Sequence, residues 1–585
     1  MITLNKDRQF FLKSLCTSPF FLLRHLPNLT SAVARKVNNW VRVKFSAKHY
    51  GAKRSPGWIS KKVNTPTRCY ENSSFRFILA CYPIAGAANF AKFPPMLEKA
   101  DDPEAYFSMN RWGFLLESLL VNSSARQSDL AKISAWIKSY TDKGEVAWEI
   151  YSACERISNL LVYLAANAAS AESSEFQKTA APFVADSAEW IRRHVEYYGP
   201  TATNNHIINN ARALVLAGVA IDNDSIYEAG VSTFRKCLPA MVGNGGFLRE
   251  RSSHYQLIVT NWVLDAWRFA AARYGVNHPD ATYLKDYGAR MTSAAAMLCD
   301  GDSRLLGLIG DISPDTSPLY STLRLSRLYP EFWPVTNKNH QSAEMKDDWF
   351  LISRENQYVL GNFPAGLFPD PYPTHGHCDH TSFIWQSEGV EILVDTGRYR
   401  YTPDDVSLLQ ISAAGHNVPF ANGYSPLCES LLKSGLWWPK PYAVAKLESS
   451  ASNGAVLLSH DGFSRMSNIT RHTREINLMS GGLEVVDSFE GKGQVNIRLR
   501  WNFGTSFNFF ESDLMSVMGY GGTVEFITKG FAEPPLIFSS SSQSDGGWIS
   551  AVYGKLEPSI YVDVSSDVTL PVVISTRFKF EKCAA

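Results

Sequence analysis

At 585 residues, with 45% hydrophobic and 19% charged content, the chain exceeds one ordinary core and has the composition of a globular protein of two or three domains. A formal net charge of +1 gives a nucleic-acid role no global electrostatic support, and no apolar run reaches the ~18 residues of a membrane span. The nine cysteines are odd in number and lack a CxxC pair, which argues against a disulfide framework and fits a reducing compartment or buried free thiols.

The first 74 residues read as a basic, partly helical lead-in, with an amphipathic segment over 26–43. Such a segment is either a solvated helix or a contact for a membrane surface or an anionic polymer. Lys13 and Arg24 interrupt the apolar runs near the N-terminus, so no signal-peptide core forms; a cytoplasmic location follows by sequence, with the cell envelope or periplasm as the alternative.

From 75 to 336 the patterning is helical. Apolar residues at Leu130, Ile133, Trp136 and Ile137 share one helix face, and the same spacing predicts helices over 128–140, 148–165, 185–198, 205–220, 226–241, 255–274 and 283–298. These joined helices indicate an all-α domain. The pattern breaks near 301 in Gly-Asp and Ser-Pro turn chemistry, and the polar stretch 337–348 reads as a linker. From 349 to 585 short alternating runs, such as Val390/Ile392/Val394 and Leu483/Val485, are punctuated by Gly, Asn, Asp and Ser. That predicts an antiparallel all-β domain and a multidomain α+β chain, helices first, with a cleft between the two parts.

Three stretches could carry chemistry. In Thr203-Asn204-Asn205-His206, good N-cap residues precede an apolar helix, so a capped helix and an anion seat are both open readings. In Gly245-Gly246-Phe247-Leu248-Arg249-Glu250-Arg251-Ser252-Ser253-His254-Tyr255, a glycine turn precedes a charged helix start; Arg251 could grip a carboxylate, and Tyr255 alone reads as packing. In the third, His375-Gly-His377-Cys-Asp379-His380 is followed by a hairpin that turns at 387–389 and ends on Asp395, and His416-Asn417 comes later. Two histidines of one parity, His375 and His377, can face Asp395, with His416 arriving later, which suits a three-ligand zinc site of the His/His/Asp type with one open position, or histidines hydrogen-bonded at a domain interface. Cys378 reads as a small buried thiol and His380 as a hydrogen-bonding neighbour.

Taken in order, Trp148-Glu-Ile-Tyr151 with Arg156-Ile-x-Asn159, Asn205-His206, Glu250-Arg251-Ser252-x-x-Tyr255, His375-Gly-His377-x-Asp379, Leu-Val-Asp395-x-Gly and Ala-x-His416-Asn417 resemble the heparinase II/III superfamily of polysaccharide lyases, which includes related oligoalginate lyases. The resemblance implies an N-terminal incomplete α/α toroid followed by a C-terminal antiparallel β-sandwich. It implies β-elimination on a uronic-acid polymer, an anionic polysaccharide partner, and a structural divalent metal, zinc, on His377, Asp395 and His416. It further implies Asn205, His206, Tyr255 and His375 as the catalytic set. Glu250, Arg251, Tyr399 and Tyr401 are expected at the substrate. A setting in capsule, exopolysaccharide or O-antigen metabolism is implied by the lack of a signal peptide. The segment Val418-Pro419-Phe420 departs from the family run after His-Asn, which leaves the local strand register open. Two other readings remain: a glycoside hydrolase, for which Glu250, Asp311, Asp379 and Asp395 are the available carboxylates, and a non-catalytic polysaccharide-binding or assembly protein.

Overall fold

A computed structural model describes residues 102–583 apart from 122–126, 141, 144–145, 168–170, 200–202, 335–341, 364–374, 428–442, 448–454, 466–467, 512–514, 532–535 and 541–545. The expected lead-in and its segment 26–43 lie outside the described residues.

Among the described residues, everything from Pro103 to Leu328 that is regular is helical, and every strand lies beyond it. The helices follow the apolar spacing, and their ends follow local chemistry. Ile150–Ala166 starts where the Glu149 carboxylate accepts the Tyr151 and Ser152 amides. Ser253–Tyr274 starts on Ser252, whose hydroxyl accepts the Tyr255 amide, and stops at Gly275. Pro318–Leu328 is a helix inside the stretch read as turns: Ser317 is its N-cap and Pro318 its first residue, so the Ser-Pro pair starts a helix there. Neighbours pack in sequence, Ile150–Ala166 on His206–Ala220 on Asp224–Met241 and Ser253–Tyr274 on Pro279–Met297, around one apolar core that includes Ile157, Leu161, Leu214, Val263 and Trp262.

The predicted linker is a correction. Ser342–Lys346 is a strand paired antiparallel with the next one, and Asp347 at the turn accepts the Gly245 and Phe247 amides at 2.9 and 3.1 Å. Polar composition hid a strand whose turn is anchored on the helical part.

The strands form a five-stranded antiparallel sheet (342–393) and a ten-stranded antiparallel sheet built on two long strands, Gly482–Asn502 and Tyr561–Lys582. Phe350, Ile352, Val359 and Trp385 of the first share a core with Ile476, Leu483, Val485, Ile497 and Trp501 of the second. The predicted hairpin turn is present, with positive φ at both Glu388 and Gly389, as a tight two-residue turn needs. Pro419–Ala421 pairs with Gly482–Asn502, which settles the register left open after His416-Asn417.

A separate apolar cluster joins the two parts. Phe247, Met297, Leu298, Leu306 and Ile309 pack on Trp349, Leu351, Leu360 and Ile384, and the Phe247 and Trp349 rings stack at 5.2 Å. Burial of each such side chain contributes roughly 1.5–3 kcal/mol. The chain from 299 to 317 runs along this seam, which brings Asp311 between the two parts. No helix among the described residues is long and apolar enough to cross a membrane.

Candidate functional site

Three chain segments converge at the seam. Asn205 precedes the helix His206–Ala220, but its side chain makes no capping bond, against the expectation for that position. Its Nδ2 instead donates to Glu250 Oε2 at 2.7 Å and to His375 Nε2 at 2.8 Å, and its amide donates to Glu250 Oε1. A good capping residue that declines to cap has been taken for another task. Glu250 is 3% exposed, and both of its oxygens are occupied by Asn205. The carboxylate expected at the substrate is thus bonded to Asn205. Burial raises the Glu250 pKa, opposed by His375 and Asn205.

His375 is set from its other edge by Asp311. The ring Nδ1–H donates to Asp311 Oδ2 at 3.0 Å, which leaves Nε2 as the acceptor of the Asn205 amide. This tautomer is assigned from the hydrogen-bond network. The same carboxylate takes the His377 Nε2–H on Oδ1 at 2.9 Å and the Arg398 guanidinium at 3.2 and 3.3 Å. Burial would raise the Asp311 pKa, but Arg398 and the two histidines hold it well below the usual carboxylate range. The Gly310-Asp311 backbone is fixed: Asp311 donates its amide to His375 O at 2.9 Å, and Ser252 Oγ donates to Asp311 O at 2.7 Å. Gly310 has φ +77°, and a Cβ there would lie 2.6 Å from His375 O and 2.7 Å from Arg251 O, so only glycine fits.

Tyr255 lies flat on His375, with centroids 3.6 Å apart and planes 8° from parallel. Tyr401 donates its hydroxyl to Ile312 O at 3.1 Å, so the 2.8 Å contact between the phenols is a donation from Tyr255 to Tyr401. Burial, with Asp315 adding to it, pushes the Tyr255 phenol well above its ordinary value, so it holds its proton. Tyr401 is held in turn: its amide donates to Tyr553 Oη at 2.9 Å, the Tyr553 hydroxyl donates to Asp102, and Thr402 donates to Asp102 at 2.8 Å. Asp102, at the start of the described helical part, thereby clamps the loop that carries Tyr401.

His206 is the open side of the site, its side chain 34% exposed. Its Nδ1 meets Glu196 Oε1 at 3.1 Å. Burial favours the neutral ring, but Glu196 and then Glu149 outweigh it and raise the pKa to about 9, so His206 is a cation at neutral pH. Its ring packs on Tyr151 at 4.6 Å. The Tyr151 ring also meets Arg111, whose guanidinium lies 4.4 Å from its centroid and pairs with Asp315 and Glu104. Here the Trp148–Tyr151 stretch joins the site.

His377, Asp395 and His416 come together as predicted: one ligand atom of each lies within 4.8 Å of the others, all three buried. Asp395 Oδ1 is 3.8 Å from His377 Nδ1, and Oδ2 is 3.4 Å from His416 Nδ1. Bonds of ~2.0–2.2 Å in a tetrahedral zinc site put ligands roughly 3.4 Å apart, so the donor set fits. A stronger sign is that His377 Nδ1 is buried with no hydrogen-bond partner among the described residues, while its Nε2–H is taken by Asp311. A carboxylate on the far nitrogen is the usual companion of a metal-binding histidine.

His380 is not in this set; burial pushes its pKa down to about 3, and its ring faces Phe363 and His460. Arg251, expected at the substrate, is 6% exposed with φ +60°, and the charges that act on it are Asp348 and Asp379. Tyr399 donates to Asp404. Of the four expected substrate contacts, only Tyr401 meets Tyr255. Arg398 and Glu196 are additions, while Asp311 enters the sequence reading only as a hydrolase carboxylate and Tyr151 only as part of the Trp148–Tyr151 stretch.

Residues 338–576 match the family model described as heparinase II/III-like, C-terminal. No curated protein matches the chain by sequence. Solved structures of like fold include a heparinase III (12% identical, TM-score 0.62, covering 95% of this chain and 92% of that one). They also include the heparan sulfate lyase HepC of Pedobacter heparinus (14% identical, TM-score 0.53, 94% and 89%) and a further heparinase III gene product (14% identical, TM-score 0.56, 97% and 92%). At these identities the likeness is one of fold, helical first and antiparallel sheet second.

Proposed function

Because residues 338–576 match the heparinase II/III-like C-terminal family model, we propose that this chain is a polysaccharide lyase of the heparinase II/III superfamily that cleaves a uronic-acid polymer by β-elimination. The observation that carries this reading is the meeting of Asn205, Tyr255 and His375, from segments 50 to 170 residues apart, with a cationic His206 beside them. The fold likeness supports reading the helical part, 75–336, as an incomplete α/α toroid and 349–585 as a β-sandwich, with substrate between them.

The proton at C5 of a uronate is weakly acidic while the neighbouring carboxylate is ionised. His206, as a cation, and the Asn205 amide neutralise that carboxylate and take up the enolate charge as it forms. When the carboxylate draws the Asn205 amide, the Nε2 lone pair of His375 is released to accept the C5 proton. The C4–O4 bond breaks as the C4–C5 double bond forms, and the Tyr255 phenol gives its proton to O4. The proton on His375 then returns to Tyr255 through solvent, and the unsaturated uronate leaves. The raised pKa of Tyr255 supports the acid role, since a phenol that stays protonated can donate without prior ionisation.

His377 Nδ1, Asp395 and His416 would hold a divalent cation, zinc by their donor set, which when bound cross-links three loops under the cleft. The test is incubation with uronic-acid polymers of graded sulfation, followed by ultraviolet absorbance. A conjugated product is expected from at least one polymer. New reducing ends without absorbance would assign a hydrolase, and tight binding without turnover a binding protein.

A further inference from the structure

We propose that Asp311 is a positioning residue that has to be a carboxylate, because it ties the tautomer of the metal-site histidine His377 to that of the cleft histidine His375. The argument rests on counting donors and on the reading of His375 and the His377–Asp395–His416 triad given above. Both histidines present an N–H to Asp311, His375 Nδ1 on Oδ2 at 3.0 Å and His377 Nε2 on Oδ1 at 2.9 Å. Arg398 closes the same oxygens at 3.2 and 3.3 Å. Every group facing the carboxylate is a donor. An amide of the same shape has one acceptor and one donor end, so it can satisfy only one histidine in its present tautomer.

Either alternative breaks something specific. If in Asp311→Asn the amide N–H end met His377, His377 would turn its lone pair to it and carry its proton on Nδ1, the nitrogen that faces Asp395 Oδ1 at 3.8 Å and is needed for a metal. If that amide N–H end met His375 instead, His375 would turn its lone pair to it and carry its proton on Nε2, where the Asn205 Nδ2 donor lies at 2.8 Å. That places two donors head to head, with Glu250 Oε2 3.5 Å away as the acceptor in reach, and leaves no lone pair on Nε2 to act as base. The backbone cannot shift to relieve this, because Asp311 is bonded through its amide to His375 O and through its carbonyl to Ser252, and Gly310 beside it has no free space.

The link also works from the metal side. Were His377 to hold a cation through Nδ1, its one remaining proton would stay on Nε2 and face Asp311 as it does here. Without the cation, Nδ1 can carry the proton and donate toward Asp395, and Asp311 loses a donor. The triad is thus coupled to the cleft through one side chain, beyond its role as a cross-link.

The experiment pairs Asp311→Asn with spectroscopy on the unmodified protein. In Asp311→Asn, zinc affinity, read by competition with a chromogenic chelator, is expected to fall about 10–100-fold, with kcat falling at least about tenfold and KM unchanged. In wild-type protein carrying nitrogen-labelled histidine, NMR is expected to find His375 protonated on Nδ1 with zinc bound, and to see its nitrogen shifts move when zinc is removed. Wild-type zinc affinity and kcat in Asp311→Asn would overturn the proposal, as would His375 shifts indifferent to zinc; the second result decides the matter if the variant fails to fold. The affinity and NMR arms do not need turnover, so a failure of the lyase reading leaves them interpretable.

Discussion

Two buried clusters in this chain share one composition, histidines around an aspartate closed by an arginine. At the seam these are His375, His377, Asp311 and Arg398. Within the ten-stranded sheet they are His472, His460, Asp487 and Arg474. In the sheet cluster the nitrogens are spent on the fold. His472 Nε2 meets Asp487 at 2.8 Å, His472 Nδ1 meets His460 Nε2 at 2.9 Å, and the Gly462 amide closes His460 Nδ1 at 3.0 Å. Arg474 grips Asp487 through two nitrogens and the carbonyls of Thr381 and Asn417 through a third. At the seam each histidine spends one nitrogen on Asp311 and keeps the other for a neighbour outside the cluster: His375 for Asn205, and His377 for the Asp395 and His416 side. Composition is therefore no guide to function at either cluster. The distinguishing feature is a nitrogen left over and pointed at a group that a ligand could displace.

The largest expected effect sharpens that contrast. His375→Ala and Tyr255→Phe should lower kcat by about 10²–10⁴-fold with little change in Tm, read by ultraviolet progress curves and thermal melts; a fall in Tm alone would make the seam a staple like the other cluster. Asp487→Ala should do the reverse. It leaves Arg474 buried and unpaired, at a cost of about 3–5 kcal/mol, visible as a lower denaturation midpoint at unchanged kcat for the folded fraction. An unchanged midpoint with lost activity would erase the distinction.

Chelation comes next. Stripping a cation held at about 100 times its Kd removes ~2.7 kcal/mol of stabilisation, so Tm and activity should fall together and recover with zinc but not with a metal that disfavours histidine. Identical melts with and without chelator would return the triad to plain packing. A smaller effect is expected from pH. The pKa of His206 is raised to about 9 by Glu196 and Glu149, above the ~6.5 of an unfolded histidine. The stability it contributes is therefore complete below about pH 6.5 and lost as pH rises through about 9, and KM should rise over the same upper limb. A flat KM from pH 7 to 10 would remove His206 from carboxylate binding. The smallest effect concerns the clamp: Tyr553→Phe leaves Asp102 and the Tyr401 amide short of a partner, at about 1–3 kcal/mol, and should raise KM modestly by loosening the Tyr401 loop.

The sequence made much of this legible where periodicity or spacing sets the structure. The helices at 150–166 and 206–220 follow from apolar spacing, whereas the shared parity of His375 and His377 puts both on one side, and only the family resemblance divides them between cleft and triad. What stayed hidden depends on contacts far along the chain. Asp311 meets His375 across 64 residues and Asp102 meets Tyr553 across 451, and nothing local marks either. Asn205 misled because capping is a local rule overridden by Glu250 and His375. Ser317-Pro318 misled because the same pair serves a turn or a helix start. Residues 342–346 misled because an edge strand anchored by Asp347 needs few apolar residues.

The most direct test is the mass of the fragments released from a cleaved uronic-acid polymer. Elimination predicts a new non-reducing end lighter by one water than the hydrolytic fragment, absorbing in the ultraviolet, and absent when His375→Ala or Tyr255→Phe replaces the wild type. Fragments at the full hydrolytic mass, or unsaturated ends formed equally fast by both variants, would contradict the account.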